Sequence, residues 1–302
     1  MAQDLRLAIR TLGRTPLFTL LAGLLLALGV GATVAVFSVV DAVLIRALPF
    51  PDAGRIVTIW EATDSSRTIP VSAPNFRDWH DAAQTFAALG AWTGDRSTVL
   101  GGREPVVTGV YAVSRDFFAA LGVSPARGRA FSADEMREHG TPAVVVSHGL
   151  WTRLLGSEPD LATLTLQVED RSASVVGVMP DGFAYPPGAD VWLPYESMSD
   201  TSGRTAHNLR VVARLKPGVP LAAAQAEMTT IAGRLEATYG PDHDGTDASV
   251  IPLHDYTVRG SRPLLFVLLG GVAVVLLATC ANVANMVIAR GTDRQRELAL
   301  RQ

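Results

Sequence analysis

Six histidines, His80, His139, His148, His207, His243 and His254, are the side chains of this sequence best suited to metal binding or proton transfer. A helical zinc site needs two imidazoles on one face, as in His-Glu-x-x-His, and no such spacing occurs. The histidines scatter over separate segments, which predicts solvated or turn positions. Ser147-His148-Gly149 sets a hydroxyl beside an imidazole, but a nucleophile elbow needs glycine two residues before the serine, and Val145 stands there. Asp134-Glu135, Asp181 and Asp190 fall in loop-like stretches, where carboxylates cap helix ends or face solvent. No Gly-x-x-x-x-Gly-Lys-Ser/Thr loop occurs, so any ATP that drives this protein is bound by another polypeptide. Gly29-Val-Gly31-Ala32 has the outline of a dinucleotide loop, yet it lies in a long apolar run, where Gly29 and Gly31 would let helices pack closely. These residues predict no catalytic, cofactor or metal site.

Composition narrows the class. The 302 residues are 48% apolar with a formal charge of −3, and the basic residues are scattered, which excludes a nucleic-acid footprint. The one cysteine, Cys280, lies in an apolar run, so the polar part of the chain must be held by its core without disulfides.

Two apolar runs must position everything else. From Leu17 to Leu48 the only charges are Asp41 and Arg46. A helix of about 32 residues would be ~48 Å long against a hydrocarbon core of ~30 Å, so it predicts a first span with a projecting stalk over 17–48. The run is too long for a signal peptide. Leu264 to Ala289 predicts a second span, inside which Asn282 and Asn285 share a face and suit either helix-to-helix hydrogen bonding or the lining of a substrate path. Arg6, Arg10 and Arg14 precede the first span, and Arg290, Arg294, Arg296 and Arg301 follow the second. The positive-inside rule then puts both termini in the cytoplasm and residues from about 49 to 260 outside. Leu5, Ala8, Ile9 and Leu12 align on one face of residues 1–15, which suits a helix lying in the membrane interface, the alternative being that Arg6 and Arg10 there only set the topology.

Between the spans, strand and helix signals alternate. Arg55 to Trp60 reads as a strand, and Ser72 caps a helix with Pro74 in its first turn. Pro105 to Val113 reads as a strand, followed by a helix capped by Ser114, carrying Phe117, Phe118 and Leu121, and closed by Gly122. Ala143 to Ser147 is a buried strand, Gly149 to Leu155 a helix, and Thr163 to Val168 with Ser172 to Val178 a hairpin. Asn208 to Leu215, an amphipathic helix over Leu221 to Tyr239, and Ala248 to Leu253 make a split β-α-β unit. The fold class is a membrane protein with two transmembrane α-helices flanking an α+β extracytoplasmic domain, in one or two lobes, with roughly 90–200 the more β-rich.

Leu5-Arg6-Leu-Ala-Ile-Arg10, Pro16-Leu-Phe-Thr19, Leu26 to Ala32 and Asp41 to Pro51 resemble the first-span signature of MacB/FtsX-like ABC transporter permeases. Val176 to Pro180, Asp190 to Pro194 and Val212 to Gly218 resemble that family's periplasmic core domain. Cys280 to Asn285 and Arg294 to Leu300 resemble its second span and the helix after it. The resemblance implies a non-catalytic inner-membrane subunit that transmits force from an ABC ATPase, which holds the ATP, to a periplasmic domain for export. It implies pairing with a like half, as a homodimer or pseudo-dimer. Residues 290–302 would begin the cytoplasmic coupling helix, with Arg290, Arg294, Arg296, Glu297 and Arg301 against the ATPase. The rival reading is a membrane-anchored module that binds or regulates another envelope protein without transport. Family members continue into a coupling loop and further spans. Sequencing beyond the codon for Gln302 is therefore expected to show a frame running into further apolar runs of about 20 residues, and an immediate stop codon would favour the anchored module.

Overall fold

The computed structural model describes residues 16–63, 66, 68–102, 104–198, 202–240 and 245–299, with backbone alone at 17, 18, 22, 286, 287 and 289–299. The expected interfacial helix over 1–15, His243 and Arg301 lie outside the described residues. Two units form, one from the two ends of the chain, up to Arg46 and from Thr257, and one from Ala47 to Tyr256. In chain order the elements are α1 (Pro16–Val40), β1 (Ile56–Ala62), β2 (Val71–Ser72), α2 (Ala73–Ala82), β3 (Phe86–Leu100), β4 (Val106–Val113), α3 (Phe117–Leu121), β5 (Arg127–Gly128) and β6 (Ala143–Val146). They continue with α4 (His148–Leu154), β7 (Thr165–Val168), β8 (Arg171–Val178), β9 (Ala189–Pro194), β10 (His207–Leu215), α5 (Leu221–Tyr239), β11 (Asp247–Pro252), α6 (Leu253–Val258) and α7 (Arg262–Ala299).

The unit built from the chain ends contains α1 and α7. Thr19–Ile45 and Arg262–Asn285 are long and apolar enough to cross a membrane, with mean hydropathies of 2.4 and 2.7. After Val40 the helix widens into a π-turn, Asp41–Ile45, and Arg46 is extended at ψ 129°. The helical run therefore stops short of Leu48, and Pro49 restrains Leu48 from the helical region. Helix α7 runs unbroken for 38 residues, so residues 290–299 continue it without a boundary at Arg290.

The other unit is organised on one mixed sheet in the order β11-β1-β10-β3-β4-β9-β6-β8-β5, with β2 beside β10. β7 pairs with both β3 and β8, so the path β3-β4-β9-β6-β8-β7 closes on itself. β10, α5 and β11 form the expected split unit, with β1 antiparallel to both strands and lying between them. The hairpin β7–β8 is also present. The 15-residue β3, which serves both halves of the sheet, was not anticipated. Its pattern is interrupted by Gly90, where a Cβ would strike the backbone of Phe117, and by Gly94 at φ 137°, where it would strike Tyr111 Cα. Glycine permits both approaches.

Packing follows the strand periodicity. Ala224, Met228, Ile231 and Leu235 of α5 are buried against β1, β10 and β11 with Phe76 and Trp79 of α2. A second cluster, including Val99, Val144, Leu150 and Leu166, fills the closed part of the sheet under α4. A third is aromatic and holds Phe117, Phe118 and Trp192.

Local chemistry fixes the ends of these elements. Ser72 Oγ accepts from Asn75 N (3.4 Å) and Ser147 Oγ from Leu150 N (2.9 Å), so each caps its helix. Gly122 closes α3 at φ 69°. Ser114 does not cap α3 as expected. Its hydroxyl accepts from Ala91 N (2.8 Å) and binds the strand instead, while its carbonyl receives Phe117 N (3.0 Å). Buried Glu61 on β1 accepts from Ser72 N (3.2 Å) and Asn75 Nδ2 (2.8 Å), and its other oxygen lies 2.6 Å from His207 Nδ1. Arg204 continues this network to Asn75 Oδ1 (2.5 Å) and Asp78 (2.6 Å), stacked 3.5 Å from the Tyr239 ring. Satisfied polar networks of this kind specify one arrangement of the elements they join.

Two titrating groups tie α3 to its neighbours. Burial tends to lower the His80 pKa, but hydrogen bonds to Asp116 (2.9 Å) and Asp81 outweigh it and leave the imidazole above its ordinary value. Burial raises the Glu196 carboxyl, against the opposing hydrogen bond from Arg115 N (2.9 Å). In both groups the folded state holds its proton more tightly than the unfolded chain. Their contribution is complete below the unfolded pKa and lost as pH rises through the folded value. Glu135 and Glu227 have the opposite sign: their hydrogen bonds outweigh burial and hold them low, so their contribution is lost in acid. The unfolding temperature of the unit Ala47–Tyr256, followed by tryptophan fluorescence, is expected to peak near pH ~5 to 6 and fall toward pH ~8. His80→Ala with Glu196→Gln should flatten that fall, and a steady rise from pH 6 to 8 in the unaltered protein would contradict it. Met228→Ala, at a fully buried site, should cost about 2–5 kcal/mol in the same assay, whereas Leu221→Ala at the exposed start of α5 should change stability by less than ~0.5 kcal/mol.

Candidate functional site

Both connections to the unit Ala47–Tyr256 leave the same end of two neighbouring strands. Val57, the second residue of β1, pairs with Pro252, the last of β11. The incoming and outgoing chain are therefore about one strand spacing, ~4.8 Å, apart in the sheet direction.

The incoming stretch, Ala47-Leu48-Pro49-Phe50-Pro51, is anchored by aromatic and cationic contacts. The Phe50 ring meets Phe183 edge-on at 6.3 Å and Tyr185 at 5.9 Å. Tyr185 stacks on Phe117 (6.1 Å, 22°), and Trp192 Nε1 donates to the Tyr185 carbonyl (3.1 Å). Burial pushes the Tyr185 phenol up to about 12, so it is neutral throughout the physiological range. Phe118, Phe183 and Trp192 complete the cluster at 5.4–6.3 Å. Aromatic pairs of this geometry contribute ~0.5–1.5 kcal/mol each beyond burial. Arg214 of β10 donates from Nη1 to the Pro51 carbonyl (3.0 Å) and from Nε to Ala120 at the end of α3 (3.1 Å). Arg55 ties the same corner, donating to Leu215 O (3.2 Å) and pairing with Asp52 (2.8 Å). On the outgoing side Leu253 is buried and Tyr256 stacks on Trp60 at 4.9 Å and 25°. The arrangement holds no reactive constellation.

The histidines named above occupy separate places. His80 pairs with Asp116, His148 lies 3.6 Å from Asp181, His207 faces Glu61, and His254 lies 3.9 Å from Asp255. Ser147, besides capping α4, donates to the Asp190 carboxylate, which also accepts from Thr108 (2.6 Å). No group of three or more His, Cys, Asp or Glu able to hold a metal occurs among the described residues. An open groove of about 690 Å³ at the β5–β8 edge is lined by Arg127, Arg129, Asp160 and Ser174. Its strongest charge pair, Arg129 to Glu135 (2.7 Å), ties a loop to its own start.

In the unit of chain ends, Gly29 is buried and sits against Thr279, whose Oγ1 and Cγ2 a Cβ at Gly29 would meet at 3.1 and 3.2 Å. Gly31 has nothing within 4 Å, and Asn282 and Asn285 are exposed. Arg290, Arg294 and Glu297 fall at i, i+4 and i+7 of α7 and so share a face by position, with Arg296 on another.

The aromatic cluster and the Arg214 anchor were not foreseen as a site. The sequence signals for Arg214 are its place as the second of two arginines, with Arg210, in the strand Leu209-Arg-Val-Val-Ala-Arg-Leu215, and its place inside the Val212 to Gly218 motif.

Comparisons with known proteins agree with this architecture. The family model of the MacB-like periplasmic core domain matches residues 19–231. The macrolide export ATP-binding/permease protein MacB of Burkholderia thailandensis is 28% identical over 201 residues, which is 64% of this chain and 29% of that protein. The protein of the same name from Burkholderia pseudomallei matches to the same extent. The chain thus spans less than a third of the length of these relatives. The crystal structure of the periplasmic region of MacB from Actinobacillus actinomycetemcomitans superposes with a TM-score of 0.52 at 14% identity, over 70% of this chain and 94% of that one. It shares the fold of the outer unit. With the family model covering well over half of its residues, the chain belongs to the MacB-like periplasmic core domain family.

Proposed function

We propose that this chain is a permease subunit of a MacB/FtsX-type ABC transporter, which couples ATP hydrolysis on a separate ATPase to conformational change outside the membrane and so to export. The observation that carries it is the pairing of two lipid-suited helices with an outer unit anchored at adjacent strand ends. Large apolar side chains such as Leu28, Val267 and Leu277 are 62–71% exposed along α1 and α7, a surface that water disfavours and hydrocarbon accepts. In this reading both helices cross the inner membrane, both termini are cytoplasmic, and residues from about 49 to 260 are periplasmic. Force enters at Ala47–Pro51 and Leu253–Tyr256, where the aromatic and arginine contacts stiffen the join.

The chain binds no nucleotide itself and works without a catalytic residue. Arg290, Arg294, Arg296, Glu297 and Arg301 form the contact with the ATPase. Gly31, Asn282 and Asn285, open in the single chain, pack against helices of a like half, since an amide left in lipid needs a partner. Exchange of Arg294 and Arg296 for Glu should lower recovery of the co-purifying ATPase at least about tenfold, the equivalent of ~1.4 kcal/mol. Unchanged recovery would overturn the assignment, and a stable envelope complex formed with no ATPase would favour an anchored binding module.

A further inference from the structure

Arg214 is a buried cation without a counter-ion. Its residue is 8% exposed, its Nε and Nη1 bind two carbonyl oxygens, and its Nη2 is buried with no hydrogen-bond acceptor. No carboxylate among the described residues lies within 4.0 Å of it. Space for this group is reserved by Gly122, where a Cβ would come within 2.5 Å of Nη2. An uncompensated buried charge is among the costlier features a fold can retain. Burial and the nearby Arg55 both depress its pKa, and Asp52 opposes them.

Asp52 is the carboxylate whose charge acts on Arg214. It follows Pro51, whose carbonyl Arg214 already holds, and its side chain is 70% exposed on the Arg55 pair. Its backbone sits at φ 49°, a region that L residues other than Asn and Asp seldom adopt. One carboxylate therefore stands between two guanidinium groups and engages one.

We propose that Arg214 and Asp52 are positioning residues that set the incoming segment in two alternative places, with the Asp52 carboxylate passing from Arg55 to the vacant Nη2 of Arg214 when that segment is displaced. The role of this exchange in transmission rests on the transporter reading. The exchange itself is a property of the chain alone.

The test uses the full chain in detergent without any ATPase, so its outcome is independent of the co-purification experiment. Arg55→Met removes the present partner of Asp52. A double-mutant cycle between Asp52→Asn and Arg214→Met is read from the unfolding equilibrium of the outer unit by tryptophan fluorescence. The expected coupling is within about twofold of unity with Arg55 in place and at least about tenfold in the Arg55→Met background. A merely structural Arg214 would give the same coupling in both backgrounds, which would overturn the proposal. Should Arg214→Met fail to fold, a structure of the Arg55→Met chain decides: Asp52 within ~4 Å of Arg214 Nη2 supports the exchange, and Asp52 left in solvent refutes it.

Discussion

The pairing of Val57 with Pro252 is the constraint from which the rest of the outer unit follows. Because β1 and β11 are neighbours, the chain must come in and go out at one end of the sheet, and the strand between them in sequence has to return there. β10 satisfies this by running antiparallel to β1, with Ile56 opposite Arg214, and α5 crosses back to deliver β11. A crossover of this kind needs one apolar helix face over the sheet, which Ala224, Met228, Ile231 and Leu235 supply. The same register carries Arg214 to the corner where Pro51 arrives. The anchoring of the incoming chain is thus a consequence of strand order.

Periodicity and caps make much of this legible in the sequence. Ser72, Gly122 and the alternation in β7 and β8 act within a few residues, and local signals survive in a sequence, whereas the cap at Ser147 is read there as the end of a strand. What escaped notice depends on distance in the chain. β3 lost its strand signature at Gly90 and Gly94 because those positions answer to Phe117 and Tyr111 rather than to their neighbours. Ser114 had the spacing of a cap, but Ala91 N, across the sheet, competed successfully for its hydroxyl. The aromatic cluster joins residues from Phe50 to Trp192, none of which marks its partners in sequence. The family resemblance is carried by short motifs inside the two long helices and along β8, β9 and β10.

The polar interior has two different characters. At Glu61, Asn75, His207 and Arg204 the buried groups satisfy one another, and such a network fixes how β1, α2 and β10 sit together. At Arg214 the accounting does not close, since one nitrogen has no acceptor. Stability alone would favour an apolar residue there, as buried ions replaced by well-packed hydrophobes are often neutral or stabilising.

In the proposed transporter role, the transmitting element has to be stiff within and movable at its edge. Three cores and a sheet partly closed on itself give the stiffness, because close-packed interiors pass displacement on instead of absorbing it. The movable edge needs alternatives of similar free energy, and apolar packing rarely offers two. Charged side chains do, since a carboxylate can trade one guanidinium for another at little net cost. Placing Asp52 on the first exposed residues after the incoming proline, with one arginine beside it on its own segment and one on the sheet, puts that choice where a pull from the helix would arrive. A lysine at position 214 would not serve equally, because it lacks the planar fork that binds two carbonyls and still offers a third direction to a carboxylate.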